Sequence, residues 1–432
     1  MKKRVFLVIG LLVISVALFA QGSSDAAKPD QVKTVRWVVW DDPATNGQNQ
    51  IAEEFMKLNP DLKVEIEMIP FDRYEDKIRT VLAAGETPDL IQINDDFVNM
   101  YMSRGLTQGI NKYIEAAGVK ADDYFESLWN FGMVNGEKYV FTPATKVRMI
   151  FYNKDMLKKA GLPEPSQTWA DPNWDWAKFL EYAQKLTIRS GEKTTQWGFA
   201  GMGDGGFEQT WIATANGEGL FGANSLTADG TNAAAREAIQ FAADLIHKYK
   251  VHPLWGESNT GPKCQNLFLS EQAAMFFSAS NAIGTLRSQA KFDWGVAPIP
   301  VQNASKLQYA NNEPSLVCYG IPKNAKNPEG AGRLIAYLGS DLAQSMYAKT
   351  GNVPGRIDYA ENSFIQPNVL PTNQQVVLDG VNYGKPVNFG LYTDMAKLMF
   401  RNWLHKVWAG EMSVAQAMDN AKPEVERALA GN

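Results

Sequence analysis

Cysteine and histidine are scarce in this chain, and clustered basic charge is missing. Among 432 residues there are two cysteines, Cys264 and Cys318, and three histidines, His247, His252 and His405. Neither C-x-x-C nor any metal-ligand spacing occurs, and the His247/His252 pair has no third partner, so neither a metal site nor a cofactor is expected. No group of Lys and Arg follows residue 4, and the formal net charge is −5. Phosphate contacts need clustered cations, which argues against nucleic acid as a partner. There is no G-x-S-x-G nucleophile elbow, and the scattered histidines offer no evident general base. Beyond the first 20 residues no apolar run approaches the roughly 20 residues of a membrane span. Internal repeats and low-complexity segments are also absent.

What is present begins with MKKRVFLVIGLLVISVALFA. Lys2, Lys3 and Arg4 precede an apolar stretch from Val5 to about Ala20, and small polar residues follow. That order predicts a cleaved signal peptide over residues 1–20 and an exported protein, periplasmic or extracellular. No cysteine lies at the junction to take a lipid. Removing residues 1–20 takes three positive charges from the net −5 and leaves −8. Residues 21–32, QGSSDAAKPDQV, read as a disordered tether. In an exported chain the two cysteines either bridge, closing a loop of about 55 residues worth roughly 4 kcal/mol, or remain buried free thiols.

From residue 33 the pattern alternates. KTVRWVVW, LKVEIEMIP and PDLIQIN read as strands, rich in β-branched residues. QNQIAEEFMKLNP places Ile51, Phe55 and Leu58 at helical spacing, and YEDKIRTVLAAGE forms a second helix closed by Gly85. Strand-helix-strand-helix-strand predicts an α/β lobe with a largely parallel sheet, and ligands sit beyond the carboxyl ends of such strands. Two acidic loops fall there: Trp40-Asp41-Asp42, and Asn94-Asp95-Asp96-Phe97. Alone, each reads first as a cap on the next helix; together at one sheet edge they read as a polar site. Further on, GMGDGGFEQTW fits G-x-G-x-x-G through Gly201, Gly203 and Gly206. The acid that should follow a strand about 20 residues later is missing, because Asp229 in LTADGTN precedes a helix. A dinucleotide site is therefore not expected.

The blocks IAEEFMKLNPDLKVEIE, LAAGETPDLIQIN, GEKYVFTP, FYNKDMLKKAGLPEPSQTW, FLSEQAAMF, WGVAPIP, GIPKNAKNPEGAGRLIAYL, GNVPGR and WAGEMSVAQAM stand in an order that resembles the extracellular solute-binding proteins of ABC sugar importers, in the family that includes the maltodextrin-binding proteins. The resemblance covers nearly the whole mature chain. It implies two α/β lobes, with residues 31–142 and 318–352 in one and 143–311 and 358–432 in the other. The chain would cross a hinge near 143–147, 312–318 and 353–357. It also implies a monomer without catalytic activity that closes on a carbohydrate and delivers it to permease membrane subunits.

Sugars stack their C–H faces on aromatic rings and hydrogen-bond through their hydroxyls, so a sugar cleft wants Trp or Tyr beside acids and amides. The resemblance puts ligand contacts on Trp40, Asp41, Asp42, Asp95 and Asp96. Asp96 departs from the arginine of maltodextrin binders. Ser278, Ser280 and Asn281 stand where relatives carry a Gly-x-Trp loop, without the Trp. Lys146 falls in the first crossing, Asn312 and Glu313 before the second, and Arg356 in the third. Trp176, Trp255 and Tyr392 are further stacking candidates. In the glycine loop, Glu208 is the expected acceptor and Trp211 a platform or the packing residue beneath one, while the glycines would let backbone N–H groups approach the ligand. An exported hydrolase is the rival from another class. With 47 acids, a carboxylate pair at the required roughly 5–10 Å is nearly guaranteed and decides nothing.

Overall fold

The computed structural model describes residues 32–222, 227–310, 314–384, 390 and 392–431. The predicted signal peptide, nearly all of the tether, and Asn312 and Glu313 lie outside the described residues. The strands are β1 (Lys33–Val39), β2 (Leu62–Met68), β3 (Leu90–Ile93), β4 (Met133–Val134), β5 (Glu137–Lys138), β6 (Phe141–Lys146) and β7 (Arg148–Asn153). After them come β8 (Ile188–Ser190), β9 (Lys193–Ala200), β10 (Ala273–Ala279), β11 (Trp294–Ala297), β12 (Ser315–Gly320) and β13 (Val353–Pro354).

They build two main sheets, each the centre of a lobe. One has the order β13-β6-β12-β3-β1-β2 and the other β11-β7-β10-β9-β8, with β4 and β5 forming a separate hairpin. The first lobe packs Trp37, Phe55, Ile110, Tyr319 and Leu334 on one side of its sheet and Tyr74, Ile78, Tyr101 and Cys318 on the other. The second lobe holds a larger core around Phe151, Phe199, Phe276 and Trp294, sealed by the helices Ala233–His247 and Thr393–Trp408.

The parallel sheet expected of the first lobe is only half realised. β1 pairs in parallel with β2 and β3, but β12 runs antiparallel to β3 and to β6, and β13 antiparallel to β6. The reason is topological. β6 carries the chain out of this sheet, one residue before β7 enters the other, and β12 brings it back; a leaving and a returning strand lie antiparallel when paired. The first helix, Gln48–Leu58, buries Ile51 and Phe55 as its spacing predicts, whereas Leu58 is 69% exposed. Asn59 ends the helix there, so the stripe frays off the core in its last turn. Gly85 and Gly351 follow helices at φ +76° and +86°, the left-handed conformation that a C-terminal glycine supplies without strain.

The two cysteines are free and buried. Cys264 packs beside Ala200 and Ala273 in the second lobe, and Cys318 lies in the first. Of the two readings left open by sequence, the free thiols are the ones found. Among the described residues no helix is long and apolar enough to cross a membrane.

Candidate functional site

Four strand ends meet between the lobes. β1 and β3 are parallel neighbours in one sheet, and β9 and β10 are parallel neighbours in the other. Their carboxyl ends lead into Trp40-Asp41, Asn94–Asp96, the loop 201–206, and Ser280-Asn281. Parallel strands deliver their following loops to one edge, so both lobes place polar loops where ligands bind in α/β sheets.

Asp41 is the centre of the first cluster. Its carboxylate accepts hydrogen bonds from Lys146 Nζ at 3.0 and 3.3 Å, from Gln92 Nε2 at 3.0 Å, and from Asn281 Nδ2 at 3.4 Å. Lys146 ends the crossing strand β6 and is 5% exposed, so its ammonium depends on this carboxylate. Asn281 comes from the other lobe, and its bond spans the cleft. Asp204 organises the second cluster. It accepts from Arg148 Nη1 at 2.9 Å, from the Gly206 amide at 3.0 Å, and from Ser278 Oγ at 3.2 Å. Two more opposite-charge pairs follow along the helix Thr393–Trp408, one turn apart. Lys397 Nζ meets Asp96 at 2.6 Å across the cleft, and Arg401 Nε stands 3.6 Å from Glu208.

Glu208 is buried on the first turn of the helix Phe207–Asn216, and among the described residues neither carboxyl oxygen has a hydrogen-bond partner. Burial raises its pKa, while Arg401 and then Lys397 pull it down. Beneath the glycine loop His252 Nε2 accepts from the Gly201 and Met202 amides at 3.0 and 3.3 Å. Its Nδ1 lies 2.9 Å from the Pro253 carbonyl. Burial pushes this imidazole down to about 4, so it stays neutral with Nδ1–H donating.

The three glycines of the fingerprint have protein, not a ligand, against them. A Cβ on Gly206 would stand 2.0 Å from Arg148 Cζ, one on Gly203 2.2 Å from the Ser258 carbonyl oxygen, and one on Gly201 2.5 Å from Phe199 Cζ. Close packing of loop against lobe is what excludes side chains there. Gly205 alone in the loop has space, with Phe71 of the opposite lobe 3.9 Å away.

The other predicted residues divide. Trp40 is half-buried at the mouth, edge-on to Phe71 and Tyr74 with ring centroids 5.6 and 4.9 Å apart. Trp211 and Trp176 are not platforms. They stack on each other at 5.6 Å and 5° within the core, with Phe207 on Trp211 and Phe241 on Trp176; Trp211 is 1% exposed. The ligand-contact role expected of Trp176 is corrected to packing, and of the two readings of Trp211 the packing one is found, since both rings are buried among other aromatic rings. Ser280 is buried and its Oγ accepts from the Val147 amide, which fixes the crossing rather than a ligand. Asp95 accepts from the Leu316 amide at 2.9 Å and braces β12. Asp42 is exposed and closes its own turn by accepting from the Ala44 amide. Arg356 pairs with Asp341 and Asp358 and lies over Tyr359, away from the four strand ends. Trp255 is half-buried with its ring on His405 at 4.8 Å, and Tyr392 is exposed at the head of the Thr393 helix, against Gly431. Sequence reasoning missed Gln92, Asp204, Lys397 and Arg401. Asp204 carried a signal, an acid three residues before a helix start.

A second acid, half-buried, stands near this face. Glu75 accepts from Tyr101 Oη at 3.1 Å, with Arg79 at 3.8 Å. Burial pushes its carboxyl up to about 7, and Asp394 and Asp76 add to the rise against Tyr101 and Arg79. Between the unfolded value of about 4.5 and about 7 the folded chain holds a proton that the unfolded chain has released. The associated stability is complete below the unfolded pKa and is lost as pH rises through the folded one, by up to about 3 kcal/mol. Glu75→Gln keeps an acceptor for Tyr101 without the charge. It is expected to exceed the parent's stability by less than about 1 kcal/mol at pH 5 and by about 3 kcal/mol at pH 8.5. An equal difference at both pH values would remove the acid as the source.

Residues 44–345 match the family described as bacterial extracellular solute-binding protein. The galactooligosaccharide-binding protein of Bacillus subtilis (strain 168) is 24% identical over 365 residues, 82% of this chain and 80% of its own. The sn-glycerol-3-phosphate-binding periplasmic protein of Shigella dysenteriae serotype 1 is 25% identical over 404 residues, covering 86% and 87%. Among solved structures, the Listeria monocytogenes ABC substrate-binding protein in complex with cycloalternan superimposes with a TM-score of 0.81 at 21% identity, over 92% of this chain and 99% of that one. The maltose/maltodextrin-binding domain of Bdellovibrio bacteriovorus bound to maltotriose gives 0.77 at 20% identity, over 92% and 100%.

Proposed function

Because the chain belongs to the bacterial extracellular solute-binding protein family, we propose that it binds a neutral carbohydrate between its lobes, closes over it, and presents the loaded form to the membrane subunits of an ABC importer. The lobes are 31–142 with 318–352 and 143–311 with 358–432, hinged near 143–147, 312–318 and 353–357. Residues 1–20 direct export and are removed. The protein works as a monomer, makes and breaks no bond in its ligand, and draws on no cofactor. Closure is a hinge rotation, and the ligand favours it by adding contacts that only the closed state completes.

The observation that carries the neutral ligand is the charge pairing. Lys146, Arg148, Lys397 and Arg401 each stand opposite a carboxylate, of Asp41, Asp204, Asp96 and Glu208. A phosphate or carboxylate ligand requires a surplus of positive charge, or each new anion meets one already in place. A polyhydroxy ligand needs donors and acceptors in alternation with no net charge. Trp40, beside Phe71, supplies the aromatic wall. The relatives point to both chemistries, a galactooligosaccharide and sn-glycerol 3-phosphate, and the paired charges favour the first.

Thermal-shift and calorimetric titration with galactooligosaccharides, maltotriose, monosaccharides, mannitol and sn-glycerol 3-phosphate tests this. A neutral sugar at 100 times its Kd should stabilise by about 2.7 kcal/mol and be recovered intact. Stabilisation by sn-glycerol 3-phosphate with none from any neutral sugar would overturn the neutral ligand, and glycan cleavage would overturn the binder.

A further inference from the structure

The lobes touch through side chains of their own. Asp96 follows β3 in the first lobe. Lys397 sits on the Thr393–Trp408 helix, whose neighbours Ala396, Phe400 and Leu404 are locked in the core of the second. Their ion pair is 2.6 Å long, and the two side chains are only 13% and 11% exposed. Neither residue lies on a crossing segment, so parting the lobes must break the pair. Further hydrogen bonds between the lobes lie beside crossing segments, where a rotation displaces atoms least: Asn281 to Asp41 stands against the crossing strand through Lys146, and Arg287 to the Lys349 carbonyl and Gln366 to the Ala348 carbonyl come just before the crossing near 353–357.

We propose that Asp96 and Lys397 form a latch, a direct ion pair that holds the cleft shut and populates the closed state before any ligand arrives. The proposal rests on the two-lobe closure described above. In the closed state both charges are withdrawn from water and answer each other; in the open state both are hydrated. For such a pair desolvation nearly balances attraction, so the latch is reversible and not a permanent clamp. Removing Lys397 unbalances it sharply, because the closed state then buries the Asp96 carboxylate without this cation, and Asp96→Asn takes away the attraction that offsets the desolvation of Lys397. This makes closure a property of the chain that ligand reinforces. Part of the binding energy need not be spent on closing a protein already shut for some of the time.

The test uses the full mature chain without ligand, labelled with a dye pair across the lobes on surface positions away from the cleft. Single-molecule energy transfer reads the open and closed populations of the parent, Lys397→Met, Asp96→Asn and the exchanged double variant Asp96→Lys/Lys397→Asp. The expected result is a closed population in the parent. Either single change should lower the closed-to-open ratio by about ten-fold or more, and the exchange should restore it in part. Circular dichroism melts of each variant separate loss of the latch from loss of the fold. A parent that is wholly open without ligand, or single variants with the parent's ratio, would overturn the latch. Neither result bears on which solute binds, and failure to bind any sugar leaves the ligand-free populations as the deciding measurement.

Discussion

Asp41→Ala is expected to cost about 3–5 kcal/mol of stability and to abolish ligand binding. One carboxylate serves three groups from three parts of the chain: Lys146 on the crossing strand, Gln92 at the end of β3, and Asn281 from the opposite lobe. Alanine leaves the Lys146 ammonium buried without an acceptor. A buried ion pair replaced whole by apolar groups is near neutral, whereas half a pair is costly. Asp41→Ala/Lys146→Met should therefore recover much of the lost stability without recovering binding. Guanidinium denaturation followed by tryptophan fluorescence, with calorimetric titration of the best sugar, measures both. A single variant within about 1 kcal/mol of the parent would show that Asp41 is not what holds the crossing.

Trp211→Ala should be as damaging and for a different reason. The indole packs near-parallel to Phe207, Trp176 and Phe241, with ring centroids 5.3, 5.6 and 6.0 Å away, and removing it leaves a large cavity worth about 3–5 kcal/mol. The protein that remains folded at low temperature should bind ligand within about three-fold of the parent, because the ring does not reach the cleft. Trp40→Ala should do the opposite. It costs less stability, since Trp40 is half-buried, and weakens binding by about ten-fold, the worth of one aromatic contact. Equal loss of affinity in both variants would return Trp211 to the binding surface.

The two variants mark where the sequence was legible. Alternating strands and helices in the first 60 residues after the tether could be read because period 2 and period 3.6 are local properties, written in neighbours such as Ile51 and Phe55. The polar loops at Asp41 and Asp96 could be placed because parallel strands fix which end carries ligands. Tryptophans resisted the same treatment. Trp169 and Trp174 lie in a loop, Trp176 opens a helix and Trp211 sits one turn into another, yet all are buried, and whether a ring faces core or cleft depends on elements packed over it from far along the chain. Lys397 and Arg401 show the same limit. Their spacing sets them on one helix face, but only the docked helix turns that face toward Asp96 and Glu208. The direction of β12 was hidden for a related reason, since a strand returning from the other lobe carries no local mark of its partner.

Each lobe holds a single cysteine, Cys264 in one and Cys318 in the other, both wholly buried. Burial pushes the first up to about 12 and the second well above the usual thiol range, so neither reacts while its lobe is intact. Each sulfur is then a timer for its own half of the molecule. Alkylation followed by mass mapping of the two peptides reports, in one tube, how often each half comes apart. It would show whether a sugar held between the halves slows both timers together or only one.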